Sequence, residues 1–212
     1  MFKIIRQMYR IFINENQLIL SSSESQLEIY ESLEVQYYKG RGSITKAIKR
    51  ARNYSIIIFG EDLEIMWRDF CSHYQIIEAA GGVILNDQGF VLWIFRNGKW
   101  DLPKGKVEIG ESLMIAAQRE VEEECAVKNI SLGSLLGRTY HTYDFNGLPI
   151  LKISHWFAMT CGGEQSLKPQ IKEGITKAIW ADSIQYRKCL TNTYSSISEL
   201  LNREKVLNYL GF

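Results

Sequence analysis

Apolar and polar positions along the first third of the chain predict a small mixed fold. Residues 9–13 (Tyr-Arg-Ile-Phe-Ile) and 17–21 (Gln-Leu-Ile-Leu-Ser) are short β-prone runs separated by Asn14-Glu15-Asn16, the pattern of a hairpin. A polar stretch over 21–25 follows, then a segment of mixed pattern over 27–38 that fits neither period. Gly40-Arg41-Gly42 marks a loop, and Ser43 is the candidate N-cap of a helix with Ile44, Ala47, Ile48 and Ala51 on one face. Residues 55–59 (Ser-Ile-Ile-Ile-Phe) form a buried-strand pattern closed by Gly60. Asp62 is placed to cap a second helix that carries Leu63, Met66, Trp67 and Phe70. Residues 1–75 thus predict a small α/β unit.

From residue 76 the texture changes. Residues 79–85 read as a strand, 86–89 as a turn and 90–95 as a second strand, with Asn97-Gly98 as another turn. A glycine-rich loop leads into one long helix, roughly 112–125. Residues 140–145 and 151–159 flank Asn146-Gly147, a strong hairpin signal. Residues 178–180 form a last short strand and 195–210 a closing helix. Residues 76–212 therefore predict a mixed sheet flanked by helices, the second of two domains. Charge does not mark the boundary, because residues 1–75 hold 10 basic and 9 acidic side chains and residues 76–212 hold 15 of each.

Composition narrows the class. Of 212 residues, 46% are apolar and 23% charged, with a net charge of +1, which describes an ordinary globular protein. No global field steers the chain onto nucleic acid or a membrane surface, so neither is an expected partner. Cysteines 71, 125, 161 and 189 are far apart and form no Cys-x-x-Cys pair, which argues against zinc and against a disulfide framework. The first ten residues interrupt each apolar run with a charge, and no apolar stretch approaches the ~18 residues of a membrane span. A cytoplasmic location is expected.

The candidate chemistry lies on the predicted helix. Glu120, Glu122, Glu123 and Glu124 crowd five positions, and Glu120 neighbours Glu123 and Glu124 at helical spacing. Like charges at that spacing destabilise an isolated helix by about 0.2–0.5 kcal/mol per pair. They also fall near the helix C-terminus, where the dipole disfavours negative charge. Such a concentration calls for a cation, and hard oxygen ligands select Mg²⁺ or Mn²⁺. The alternative for a bare run of glutamates is a solvated acidic face.

The spacing decides against that alternative. Gly105, Glu111, Arg119, Glu120, Val121, Glu123, Glu124 and Val127 fall on the pattern Gly-x5-Glu-x7-Arg-Glu-U-x-Glu-Glu-x-Gly-U, with U aliphatic. This segment resembles the Nudix box at eight of nine defined positions over 23 residues. The departure is Ala126, which stands where the family has glycine. It is expected to cost on the order of 1 kcal/mol at the helix end without removing a ligand. The flanking strands, loop and hairpin extend the resemblance over about 76–190.

The resemblance implies a Nudix α/β/α sandwich around a mixed sheet, and hydrolysis of a nucleoside diphosphate linked to another group. It implies that Glu120, Glu123 and Glu124 hold Mg²⁺ with the carbonyl of Lys104, and that Glu111 and Arg119 form a structural pair orienting the helix. Glu120 is the first choice of general base. The chemistry is consistent with this, since cations neutralise pyrophosphate charge, acidify a water and hold an in-line geometry, while a nearby carboxylate takes the proton. No Ser-His-Asp or Cys-His nucleophile pattern is visible.

Pro103-Lys104-Gly105-Lys106 looks like the Nudix subgroup acting on dinucleoside and diphosphoinositol polyphosphates. Lys104 and Lys106 are candidate phosphate contacts, as are Arg138 and Lys152 from the hairpin region. Glu173 precedes the last strand, where similar Nudix enzymes place an extra metal ligand or base. His141 reads better as a satisfied histidine than as a base, and Trp93, Trp100 and Trp156 better as core than as stacking platforms. Lys46, Lys49, Arg50 and Arg52 crowd one helix of the first unit, where a solvated face is the simpler reading. The expected substrate is a small phosphorylated molecule, first a nucleoside or dinucleoside polyphosphate, with ADP-ribose or a nucleotide sugar as the alternative. A binding-only nucleotide sensor is the competitor from another class, and the intact glutamate set argues against it. The first unit's role is open among dimerisation, covering the cleft and stabilisation.

Overall fold

The computed structural model describes residues 8–211. The part of the charge-interrupted N-terminus before residue 8 lies outside them. The chain forms two compact units. One comprises residues up to Ile76 together with Tyr140–Lys152, and the other Ile77–Thr139 with Ile153 onward. The hairpin tip over 140–152, read above as part of the second domain, thus clusters with the first unit.

In the first unit, β1 (Met8–Ile13) and β2 (Asn16–Ser21) pair antiparallel from Met8↔Ser21 to Ile13↔Asn16, turning through Asn14 at φ 56°. The mixed segment resolves into a one-and-a-half-turn helix α1 (Glu24–Ile29) and a short strand β3 (Glu34–Tyr37). Helix α2 (Arg41–Ala51), β4 (Ile56–Phe59) and α3 (Leu63–Cys71) follow. Strand β4 lies parallel between β2 and β3. Its Ile56, Ile57 and Ile58 are all fully buried, as a strand covered on both faces requires. Asp62 caps α3 by accepting from the Ile65 N–H. Ser43 does not cap α2, which begins two residues earlier, after Gly40. Its hydroxyl instead donates to the Gly40 carbonyl and accepts from the Lys39 N–H, tying the loop together.

The second unit contains β5 (Gln75–Asn86), β6 (Val91–Arg96), β7 (Lys99–Asp101), β8 (Lys104–Lys106), α4 (Leu113–Cys125), β9 (Ile130–Phe145) and β10 (Leu148–Cys161). A 3₁₀ turn (Ile171–Glu173), β11 (Ile175–Ala181), α5 (Ser183–Thr191), α6 (Ser195–Leu201) and α7 (Glu204–Leu210) complete it. Its strands run in the order β11-β6-β5-β10-β9, with β7 on β6 and β8 on β5. The far ends of β9 and β10 are the hairpin tip, and β1 pairs parallel with β9 there at Ile11↔Tyr140.

Alternation along the strands separates two cores. Leu92, Ile94, Phe157 and Met159 meet Ala116, Ala117, Val121 and Cys125 of α4 on one face. Trp93, Trp156 and Ala158 meet Tyr186 of α5 and Ile197, Leu200 and Leu201 of α6 on the other. The result is an α/β/α sandwich around a mixed sheet. The closing helix expected over 195–210 is in fact two, broken at Asn202 and Arg203, and α5 precedes them where no element was expected. No described helix is long and apolar enough to cross a membrane.

Candidate active site

Helix α4 begins where Ser112 accepts from the Ile115 N–H at 3.3 Å. It ends at Ala126, whose left-handed conformation (φ 58°, ψ 25°) fills the position where the box has glycine. The helix C-terminus is closed from outside. The Gln170 and Lys168 N–H groups donate to the carbonyls of Glu124 and Cys125, at 3.0 and 2.9 Å, so two orphan carbonyls find partners in the loop before Glu173.

Arg119 ties the helix to the loop ahead of it. Its Nε and Nη2 donate to the two oxygens of Glu111 at 2.8 and 2.9 Å, and Nη2 also reaches the Lys106 carbonyl at 3.1 Å. Nη1 reaches Glu120 at 2.8 Å and Glu123 at 3.3 Å. The bidentate guanidinium and the Glu108 N–H hold the Glu111 carboxyl down to about 2. Arg119 itself is pushed up by the same carboxylates, Glu111 foremost.

Glu120 packs its carboxylate into the space beside Gly105, which any Cβ at that residue would fill. Burial raises its pKa, Arg119 opposes this, and the charges of Glu123 and Glu173 add to the rise. Glu124 is 1% exposed. Its Oε2 accepts from the Lys104 N–H at 2.9 Å and its Oε1 lies 3.5 Å from Arg96 Nη1. Burial pushes it up to about 7 against the pull of Lys104 and Arg96.

Donor chemistry fits a divalent cation: hard carboxylate oxygens from Glu120 and Glu123 lie on one helix, with the charge of Glu173 acting on Glu120. The side chains are turned toward protein partners, Arg119 above all. Among the described residues, no three histidine, cysteine or acidic groups converge as a ligand set. A cation that takes these oxygens therefore replaces hydrogen bonds already made.

The remaining candidates are scattered. Lys104 directs its ammonium to Asp101 and over the Trp156 ring, 5.7 Å from its centroid, and its side chain is only 12% exposed. Lys106 is exposed. Arg138 donates from Nε to His155 Nδ1 at 3.2 Å. Glu173 is exposed at the end of its 3₁₀ turn. Lys152 belongs to the first unit, as does His141, which stacks on Tyr143. Trp93 and Trp156 are fully buried in the core. Sequence reasoning passed over Arg96, Asp101, Glu78 and His155. A signal existed for Arg96, whose even-numbered position shares the α4-facing side of β6 with Leu92 and Ile94. Nothing in the sequence links Glu78 to His155.

Residues 76–201 match the model of the NUDIX domain. The chain belongs to the Nudix family. It is 34% identical over 112 residues to an RNA pyrophosphohydrolase of Caulobacter vibrioides, across 44% of this chain and 63% of the relative. An 8-oxo-(d)GTP phosphatase of Mycolicibacterium smegmatis is 30% identical over 125 residues, 58% of this chain and 36% of the relative. The chain thus spans less than two thirds of the length of the curated Nudix relatives it matches. A C. elegans Ap4A hydrolase in a binary complex is 21% identical with a TM-score of 0.50, covering 64% of this chain and 99% of the other. That likeness shows the Nudix fold, in agreement with the sandwich described above.

Proposed function

We propose that this Nudix protein hydrolyses a pyrophosphate bond in a nucleoside or dinucleoside polyphosphate, using a divalent cation. The observation that carries the reading is the Arg119 clamp. One guanidinium engages Glu111, Glu120 and Glu123 at once, so the loop from Gly105 to Glu111 and the acidic turn of α4 form one rigid piece. Glu120, Glu123 and Glu124, with the Lys104 carbonyl and Glu173, would hold Mg²⁺ or Mn²⁺. When bound, the cation neutralises phosphate charge and acidifies water. Glu120 would take the water's proton on a carboxylate oxygen that the cation leaves free, the part of a general base. Lys106 and Arg138 supply cations for the outer phosphates, while Lys104 keeps its ammonium on Asp101. Relatives named for RNA pyrophosphohydrolysis and 8-oxo-(d)GTP hydrolysis support a nucleotide with several phosphates.

The test is a substrate panel of diadenosine tetraphosphate, nucleoside triphosphates, 5′-triphosphorylated RNA and ADP-ribose, each with Mg²⁺, Mn²⁺ or EDTA. Turnover should need metal, kcat/KM should favour three or more phosphates, and ¹⁸O from solvent should enter a phosphate-containing product. Glu123→Gln and Glu124→Gln should each lower kcat by at least about a hundredfold with the fold intact by circular dichroism. ADP-ribose as the best substrate would replace the polyphosphate assignment. Unchanged turnover in both variants would remove the metal assignment.

A further inference from the structure

A second polar chain crosses the α4-facing side of the sheet and includes none of the glutamates proposed as metal ligands. Arg138 on β9 donates from Nε to His155 Nδ1 on β10, and His155 Nε2 meets Glu78 Oε2 on β5 at 2.5 Å. His155 is 5% exposed. A nitrogen that accepts from arginine carries no proton, so these partners assign a neutral imidazole protonated on Nε2, where it donates to Glu78. His155 has one acceptor and one donor, and both are used.

The chain starts close to the carboxylates. Glu78 and Ala80 share one face of β5, two residues or about 6.6 Å apart. Ala80 pairs with Gly105, where the Glu120 carboxylate packs. The Glu78 carbonyl also accepts from the Val107 N–H, in the loop that Arg119 holds. Arginine has five N–H donors in a rigid planar fork. Fixing Nε orients the plane of the fork, whose two Nη groups carry the other four N–H donors.

We propose that His155 is a positioning residue: oriented by Glu78, it fixes the plane of the Arg138 guanidinium for contact with a phosphate of the substrate. The proposal rests on the polyphosphate reading above. A lysine at 138 keeps the charge but has no Nε–H to give His155, so charge and orientation are separable. A residue that only braces three strands would act on stability or equally on all kinetic constants. His155 acts on KM, and only through Arg138.

The experiment uses the full chain with Mg²⁺ and diadenosine tetraphosphate as probe. Arg138→Lys and His155→Leu should each raise KM about tenfold, the size of one well-formed charge-assisted contact, with kcat within about twofold. In the Arg138→Lys background, His155→Leu should add nothing further. With Arg138 in place, His155→Gln, whose amide keeps an acceptor and a donor, should retain most of the wild-type KM. Glu78→Ala, at a more exposed position, gives the same KM reading if His155→Leu fails to fold. An undiminished His155 effect in the Arg138→Lys background, or a loss confined to kcat, overturns the proposal. So does an unchanged KM in Arg138→Lys, which leaves the hydrolase reading standing. If the wild type turns over no probe, that reading fails, and ¹⁵N–¹H spectra decide positioning alone. A protected Arg138 Nε–H resonance that disappears in His155→Leu supports it, and one that is unaffected overturns it.

Discussion

Asp101 is 3% exposed, and its carboxylate is held by the Lys104 ammonium and the Leu102 N–H. A buried charge that loses its partner is costly, by about 3–5 kcal/mol, whereas removing both charges is close to neutral. Lys104→Met should therefore lower stability by about 3 kcal/mol or more, and Asp101→Asn combined with it should restore most of the loss; chemical denaturation of both variants measures this. Pro-Lys-Gly-Lys reads as two phosphate-facing lysines in the sequence because a lysine beside a glycine-rich loop is ordinarily solvated. The partner that draws Lys104 inward lies three residues upstream, and the ring over which its ammonium sits, Trp156, belongs to a distant strand. Glu111 and Arg119 were legible for the opposite reason: a fixed interval within one motif encodes their pairing. Glu78 and His155 are joined by register across the sheet and leave no local trace.

At the scale of the element, α4 carries both its own start and its own stop. Ala126 sits at φ 58°, a region where a side chain costs on the order of 1 kcal/mol relative to glycine. Ala126→Gly should raise Tm by about 2–4 °C and leave kcat unchanged, read by calorimetry and steady-state assay. The Glu111–Arg119 pair makes the same region acid-sensitive. Folding lowers the Glu111 carboxyl from its ordinary 4.5 to about 2, so the unfolded chain binds the proton more readily. The resulting stabilisation is complete above about pH 4.5 and disappears as pH falls toward 2. Glu111→Gln should flatten that limb of the stability–pH curve, while the wild type retains it.

Element boundaries were legible where chemistry punctuates them, as at Asp62, Ser112 and the Asn-Gly turns. They were not where tertiary contacts override local pattern. Gly40 starts α2 without a capping side chain, while Ser43 braces the loop. The break between α6 and α7 places Arg203 against the Arg138 carbonyl and Glu199, contacts no periodicity predicts.

For the whole molecule, the hairpin tip matters most. Within the first unit, Tyr140 packs edge-on against Trp67 and Tyr9, and Ile11–Ile13 pair with Tyr140–Thr142. A chain starting at Gln75 keeps every carboxylate proposed for metal binding but loses the strand that covers β9 there. An exposed edge of this kind invites pairing between copies. The truncated protein should retain metal-dependent hydrolysis and elute at a larger, concentration-dependent size than the full chain. A monodisperse monomer at both low and high loading would show that the tip manages its edge alone.

Tyr140–Lys152 belongs to the unit that begins the chain, which sets an order of events during synthesis. The β1–β2 hairpin and the strand at Ile56–Phe59 emerge from the ribosome early, but the neighbour of β1 arrives only after α4 and most of β9 have been translated. Until then the nascent N-terminal unit waits with its Ile11–Ile13 edge unpaired. Its closure and that of the following unit become parts of one late step, a long-range pairing of the kind that folds slowly.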